Sequence, residues 1–204
     1  MEYRAVGDRC AVDLDLLHLP VSNKVALAIL IKKGFKILEV NLVDLARQCI
    51  KTSKYRRGVK PSEAPARVDC SSFIKWLFGQ RGIWLPRRSI QQRELGESVS
   101  FEEIARDDVV FASGWIDYYH DNSLDGVGHV GIATGEETVI HAANNKANVV
   151  ESSLKSFASK AGFRGIRRYV SRDKTVLTLE TPTAREVEIA DDMRWIILQS
   201  LPKQ

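Results

Sequence analysis

The chain has 204 residues and a formal net charge of +4, a length that suits one domain with extensions. Its composition, 44% hydrophobic and 27% charged, is typical of a globular protein. No apolar run reaches the roughly 18 residues of a membrane span, so we expect no stable membrane insertion. Three scattered cysteines, Cys10, Cys49 and Cys70, exclude a disulfide framework and a cysteine-based zinc site, and we expect no metal or other cofactor.

The positive charge is concentrated in residues 51–93. This basic stretch holds eleven Lys and Arg against Glu63 and Asp69, a net charge of +9, which leaves −5 for the rest of the chain. Such a stretch attracts anionic ligands and favours an ionised thiol nearby, although a solvated basic face is an equally good interpretation. Since no nucleic-acid-binding motif accompanies it, we expect no nucleic-acid partner.

The first ten residues, MEYRAVGDRC, lack the basic head and apolar core of a secretory signal. Together with an odd number of cysteines, they predict a cytoplasmic location. A secreted protein whose signal had been removed would show the same features.

The first half of the chain has helical periodicity. We assign residues 1–38 to an N-terminal extension. NLVDLARQCI then repeats apolar residues at helical spacing, with Cys49 on the apolar side as a small core residue. After a loop over residues 55–67, a helix is predicted from Cys70 to about residue 78, with Asp69 as its N-cap.

The second half changes to short strands, predicted at residues 108–112, 128–134, 138–142 and 163–170. A helical half followed by a strand-rich half predicts an α+β fold with a mostly antiparallel sheet. We place a catalytic domain at residues 39–171. A C-terminal extension, residues 172–204, ends in a helix predicted over 184–201. The sequence does not indicate an oligomeric state.

Cys70 is the candidate nucleophile, because a helix N-terminus stabilises a thiolate. Four histidines are candidate bases. His18 and His120 lie in predicted turns or loops and are interpreted as incidental, whereas His129 and His141 lie in adjoining predicted strands. Free cysteines are commonly buried for packing alone, so the residue types by themselves leave both interpretations open.

The spacing of His129 and His141 predicts their relative placement. They are twelve residues apart, so a hairpin centred on residue 135 pairs positions that sum to 270. That register puts the two histidines directly opposite each other, with both side chains on the face that holds Cys70.

Four segments in order, DCSSFIKWLFGQRGIWLPRRSIQQ, DDVVF, GHVGIATGEETVIHA and VVESSL, closely resemble the NlpC/P60 family of papain-like cysteine peptidases. The resemblance covers roughly residues 40–170. It implies a papain-like fold in which the helix carrying the cysteine packs on the sheet. It also implies hydrolysis of short peptidoglycan stem peptides, often between D-Glu and the following diamino acid, so the expected partner is a small peptide.

The resemblance also assigns roles. Cys70 is implied as nucleophile, His129 as base and His141 as the residue that orients the base. The implied substrate-binding residues, which hold a free amino end or a carboxylate, are Tyr55, Asp69, Ser71, Arg87 and Ser89. Anchoring a loop is an alternative role for Tyr55, and capping the helix is one for Asp69.

Several departures from the family pattern leave other functions open. Ser72 stands where many members have Gly, and residues 113–127 form a long insertion expected to wall the cleft. The first alternative is an acyltransferase, or a lipid or thioester amidase, that uses the same Cys and His residues. The second is a catalytically silent binding module, which the retention of Cys70, His129 and His141 disfavours.

Overall fold

The computed structural model describes residues 3–159 and 162–202. Among these residues, no helix is both long enough and apolar enough to cross a membrane. The helices and strands in chain order are β1 (Arg9–Asp13), α1 (Asn23–Lys32), β2 (Lys36–Leu38), α2 (Leu42–Thr52), β3 (Lys54–Tyr55), β4 (Arg67–Val68), α3 (Cys70–Gln80), α4 (Ser89–Arg93), β5 (Glu97–Val99), β6 (Val109–Ala112), β7 (His129–Ala133), β8 (Thr138–Asn144), β9 (Asn148–Ser153), α5 (Leu154–Phe157), β10 (Phe163–Arg168), β11 (Val176–Glu180) and α6 (Ala190–Leu198).

The chain forms two compact units. The site unit consists of Asn41–Leu77 and Leu85–Ser171, and it holds every predicted site residue. The terminal unit consists of Met1–Val40, Phe78–Trp84 and Arg172–Gln204. The two ends of the chain therefore belong to one unit.

The terminal unit contains an antiparallel sheet of order β1-β11-β2, which the sequence did not predict. Its core includes Cys10, Leu30 and Met193, all fully buried. Helix α6 begins at Ala190 rather than at the predicted residue 184. The reason is that Ile189 is extended and forms an antiparallel bridge with Arg4, so the helix cannot start before that bridge.

The site unit contains a six-stranded sheet of order β5-β10-β6-β7-β8-β9, in which every neighbouring pair is antiparallel. The predicted α+β class is confirmed. Helix α2 begins after Asn41, whose side chain accepts a hydrogen bond from Asp44 N, and it buries Cys49 as predicted. Helix α3 buries Phe73 and Leu77 completely, which is the core side expected from their spacing.

The β7–β8 hairpin differs from the predicted register. Its pairs Ile132↔Ile140 and Ala133↔Val139 sum to 272 rather than 270, since the turn closes where Thr134 N donates to Thr138 O at 3.0 Å. The prediction of directly opposite histidines is therefore wrong. A shift of two residues nevertheless preserves the side-chain alternation, so both histidines still lie on one face of the sheet.

Candidate active site

Cys70 is the first residue of α3, and Asp69 fixes that helix start. Ser72 N donates to Asp69 Oδ1 at 2.9 Å, and Asp69 N donates back to Ser72 Oγ at 2.8 Å. This reciprocal pair satisfies two backbone N–H groups at the helix N-terminus. The predicted capping role of Asp69 is thus observed, and it determines where the cysteine side chain leaves the helix.

Cys70 as a residue is half-buried, and its thiol donates to Gly128 O at 3.8 Å, the carbonyl that directly precedes His129. Burial, followed by the Asp69 carboxylate, raises the pKa of the Cys70 thiol to about 11. Backbone N–H groups of Ser71 and Val130 at the sulfur only partly oppose this rise. The expectation that the helix N-terminus and the basic stretch favour a resting thiolate is not supported, because burial and the Asp69 carboxylate together raise the pKa of the thiol.

The two histidines of β7 and β8 are joined by a hydrogen bond of 2.9 Å between His129 Nε2 and His141 Nδ1. The other ring nitrogen of His141 extends this hydrogen-bonded series, because His141 Nε2 lies 3.0 Å from Ser152 Oγ. Burial lowers the pKa of His129 to about 4, and burial with the neighbouring His129 lowers that of His141 to about 3. Both imidazoles are therefore neutral near pH 7.

A glycine and a phenylalanine shape the space around the imidazole pair. A Cβ on Gly131 would lie 2.4 Å from Val139 Cγ1 and 3.0 Å from the Cβ of His141. On the other side, the Phe157 ring lies 5.2 Å from the His129 ring and 4.8 Å from the His141 ring, measured between centroids. The absence of a side chain at Gly131 thus leaves room for the two rings, and Phe157 covers them.

Arg87 is held by groups of its own chain. Its guanidinium donates to Asp69 Oδ1 at 3.0 Å, to Ser71 Oγ at 2.9 Å and to Val59 O at 2.9 Å, with a further bond to Asp69 Oδ2. Gly58 N also donates to Asp69 Oδ2, at 3.0 Å. Burial opposes ionisation of Asp69, but hydrogen bonds from Arg87 and from the helix start hold the pKa of its carboxyl below the usual value.

This network limits what its members can offer a substrate. The Asp69 oxygens already accept from several donors, and the Ser71 hydroxyl lies between Arg87 and Asp69. The structure therefore places these groups together behind Cys70, but uses them mainly to support one another. A direct contact of Arg87 with a substrate carboxylate stays a prediction.

The remaining predicted binding residues differ in access. Tyr55 is half-buried; burial raises the pKa of its phenol, and nearby Cys70 and Asp69 add to the rise. Its backbone N donates to Asn148 Oδ1 at 3.0 Å, which also fits the loop-anchoring role. Ser89 is buried, and its hydroxyl donates to Val127 O at 3.5 Å. Tyr55 is thus the more accessible of the two.

Ser152 and Phe157 were missed as site residues. Both belong to VVESSLKSF, of which the first six residues, VVESSL, are one of the segments that carry the family resemblance. The alternation of Val150 and Ser152 in β9 is a usable sequence signal for one shared face, but it does not say which strand lies beside it. Phe157 lies on the short helix α5, and only the tertiary fold brings that helix beside the histidines.

The insertion over residues 113–127 carries exposed apolar side chains, with Trp115 at 95% and Leu124 at 80% exposure. Asp117 fixes the bend by accepting from Gly114 N and Ser113 Oγ, both at 2.7 Å. The segment runs directly into Gly128, the residue against the thiol. Its predicted role as a cleft wall stays a prediction.

A cysteine that begins a buried helix, beside an antiparallel sheet with a linked histidine pair, defines the architecture of papain-like cysteine hydrolases. The model of the NlpC/P60 family matches residues 52–168, more than half of the chain. The chain belongs to the NlpC/P60 family. A crystal structure of an NlpC/P60 family protein from Bacillus cereus has the same fold, with a TM-score of 0.52 and 22% identity, covering 67% of this chain and 42% of that one.

Relatives of known name are hydrolases. The chain is 31% identical to a gamma-DL-glutamyl hydrolase of Bacillus subtilis, over 74% of this chain and 33% of the relative. It is 32% identical to the peptidoglycan DL-endopeptidase CwlO of Bacillus licheniformis, over 58% of this chain and 25% of the relative. The aligned region thus spans a third or less of the length of these two relatives.

Proposed function

We propose that this protein is a cysteine peptidase that hydrolyses an amide bond of short peptidoglycan-type stem peptides, with Cys70, His129 and His141 as its catalytic residues. The observation that carries the proposal is the 2.9 Å contact between His129 Nε2 and His141 Nδ1, beside a half-buried thiol at a helix N-terminus. A nucleophile, a base and a group that orients the base are the parts that such chemistry needs.

The proton route follows from the ring atoms. His129 Nε2 faces His141, so Nδ1 is the atom of His129 that can accept the thiol proton. The thiol and both imidazoles are neutral at rest, and attack therefore requires transfer from Sγ to Nδ1 once the thiol leaves its hydrogen bond to Gly128 O. The resulting imidazolium is stabilised by its Nε2–H bond to His141.

The proposed reaction has the two covalent stages of a thiol peptidase, acylation of the cysteine and hydrolysis of the thioester. Sγ bonds to the scissile carbonyl carbon, the C–N bond breaks, and His129 gives its proton to the leaving amine. Water then attacks the thioester, its proton passes through His129 to the sulfur, and the S–C bond breaks. We assign to the positive end of helix α3, which begins at Cys70, the role of stabilising the negative carbonyl oxygen of each tetrahedral intermediate.

The substrate proposal is narrower. The name of the Bacillus subtilis relative, gamma-DL-glutamyl hydrolase, supports a γ-glutamyl bond, and we place the cleaved amide between D-Glu and the following diamino acid. The phenol of Tyr55 is the direct contact for a free amino end, with the buried carboxylate of Asp69 supplying negative potential behind it. Arg87 is paired with Asp69 and partly offsets this negative potential, and its contact with a substrate carboxylate remains part of the proposal.

Defined peptides test the proposal. We would incubate the protein with L-Ala-γ-D-Glu-diaminopimelate, its N-acetylated form and the isomer with α-linked glutamate, and identify products by mass spectrometry. Cleavage of the free γ-linked peptide is expected, with much less product from the other two peptides and from intact sacculi. Cys70→Ala is the matched control and should give none.

The outcomes separate the candidate functions. Failure of all three peptides, or equal product from Cys70→Ala, would contradict the peptidase proposal. Cys70-dependent turnover of an acyl ester or thioester without peptide cleavage would instead support the acyltransferase or lipid amidase alternative. Cleavage of the N-acetylated peptide at the same rate as the free peptide would contradict only the proposed recognition of a free amino end.

A further inference from the structure

The hydrogen-bonded chain of the site does not end at the second histidine. His141 Nε2 lies 3.0 Å from the hydroxyl of Ser152, a half-buried residue of β9. The β8–β9 register pairs His141 with Val150 and Val139 with Ser152, so Ser152 is the diagonal neighbour of His141 on the same face. Diagonal neighbours in a sheet are within reach of a long side chain such as His.

The geometry restricts which tautomers can act. For His129 Nδ1 to accept the thiol proton, that atom must be bare, and Nε2 must carry the hydrogen. His129 Nε2–H then donates to His141 Nδ1, which must also be bare. His141 therefore carries its hydrogen on Nε2, the atom that faces Ser152 Oγ. A neutral imidazole has one N–H and one bare nitrogen, so each step fixes the next.

The opposite set of tautomers is inactive. If the Ser152 hydroxyl donated to His141 Nε2, His141 Nδ1–H would donate to His129 Nε2. His129 would then carry its hydrogen on Nδ1 and have no acceptor for the thiol proton. Both sets satisfy the same contacts, so the role of the serine oxygen decides whether the base is competent.

We propose that Ser152 is a positioning residue that accepts the Nε2–H of His141 and thereby holds His129 in the tautomer that can act as base. This inference rests on the proposed function and deepens it. No proton is transferred to Ser152, which acts only as a hydrogen-bond acceptor. Phe157 packs against both imidazoles and thereby limits the orientations that the two rings can take.

The first test compares four single variants of the full chain by steady-state kinetics on the γ-linked tripeptide. Ser152→Ala should lower kcat about 2- to 12-fold with little change in KM, the scale of losing one hydrogen bond. Ser152→Thr retains the hydroxyl and should restore most of the rate. Ser152→Asp can only accept, so it should also retain activity. Ser156→Ala, an exposed hydroxyl deletion on α5, is the control.

Retention by Thr but loss in the Asp variant would mean that the serine acts as a donor, which overturns the proposal. Unchanged kinetics in Ser152→Ala would overturn it as well. Thermal unfolding of each variant separates these results from a general loss of structure.

The second test reads the tautomers without any turnover. Two-bond ¹H–¹⁵N correlation spectra of the ¹⁵N-His-labelled protein distinguish Nε2–H from Nδ1–H in each neutral ring. We expect Nε2–H for both His129 and His141 in the wild type, and a mixture in Ser152→Ala. A wild-type His141 with its hydrogen on Nδ1 refutes the inference. Because the spectra need no substrate, they also separate failure of this inference from failure of the proposed peptidase activity.

Discussion

Replacing His141 with alanine removes the group that accepts the Nε2–H of His129, and the structure sets the size of the expected effect. The bond is 2.9 Å long, and during attack its donor becomes a cation. A hydrogen bond to a charged group contributes about 1.5–3 kcal/mol. At about 1.4 kcal/mol for each tenfold in rate, His141→Ala should lower kcat/KM about 10- to 150-fold. His129→Ala removes the base itself and should cost more.

A matched variant separates hydrogen bonding from packing. In His141→Asn, the amide oxygen is two bonds beyond Cβ, as Nδ1 is in histidine, so it can accept the same hydrogen. We expect His141→Asn to recover most of the rate lost in His141→Ala. His120→Ala is the control, because that histidine is exposed and contacts only Glu94 among the described partners.

The assay is kcat/KM on the free γ-linked tripeptide, accompanied by thermal unfolding of every variant. A folded His141→Ala protein within about twofold of wild type would remove His141 from the mechanism. Equal losses in the Ala and Asn variants, with unchanged unfolding temperatures, would show that packing rather than hydrogen bonding explains the effect.

Iodoacetamide should alkylate Cys70 before the two buried cysteines, as read by peptide mass spectrometry. The alkylation rate of Cys70 should keep rising with pH towards about 11, because burial keeps the thiol protonated. A rate that reaches a plateau near pH 7 would contradict this. The acid limb of kcat/KM should lie near pH 4, since activity falls only as His129 becomes protonated on acidification; an acid limb near 6.5 would show that burial does not lower this pKa. Arg87→Met leaves the Asp69 carboxylate buried without its cation and should lower the free energy of unfolding by about 2–4 kcal/mol in denaturant titrations. Adding Asp69→Asn should partly reverse this loss. An unchanged free energy of unfolding in Arg87→Met would show that the ion pair is energetically neutral. Gly131→Ala should lower the free energy of unfolding by about 1–3 kcal/mol and the activity at least tenfold, because the added Cβ collides with strand β8. A fully active variant would show that strand β8 can shift to accommodate the methyl group.

The parity of the two histidines was available from the sequence, but their register was not. Side chains alternate strictly along a strand, so an even separation around a hairpin with an odd-numbered turn fixes a shared face. Which residues are paired depends on where the turn closes, and Thr134 with Thr138 closes it one residue later on each strand than predicted. The two rings therefore meet diagonally, and the glycine at position 131 provides the necessary room.

The protonation state of the Cys70 thiol depends on tertiary surroundings rather than on local sequence. A cysteine at a helix start within a basic stretch predicts a thiolate, because both features are local. The pKa, however, depends on the burial of Cys70 and on the nearby Asp69 carboxylate, and these outweigh the local effects. The most relevant arginine, Arg87, is neutralised by that same carboxylate, a pairing between residues 18 positions apart.

What the sequence by itself determined was local or periodic: the helix that begins at Cys70 with Asp69 as its cap, the α+β class, the strands of His129 and His141, and the family. These follow from short-range spacing and from a set of motifs in fixed order. Only the tertiary structure placed Ser152 and Phe157 at the histidines, and only it joined the two ends of the chain in one sheet. Such contacts depend on which strand neighbours which, and no local pattern contains that information.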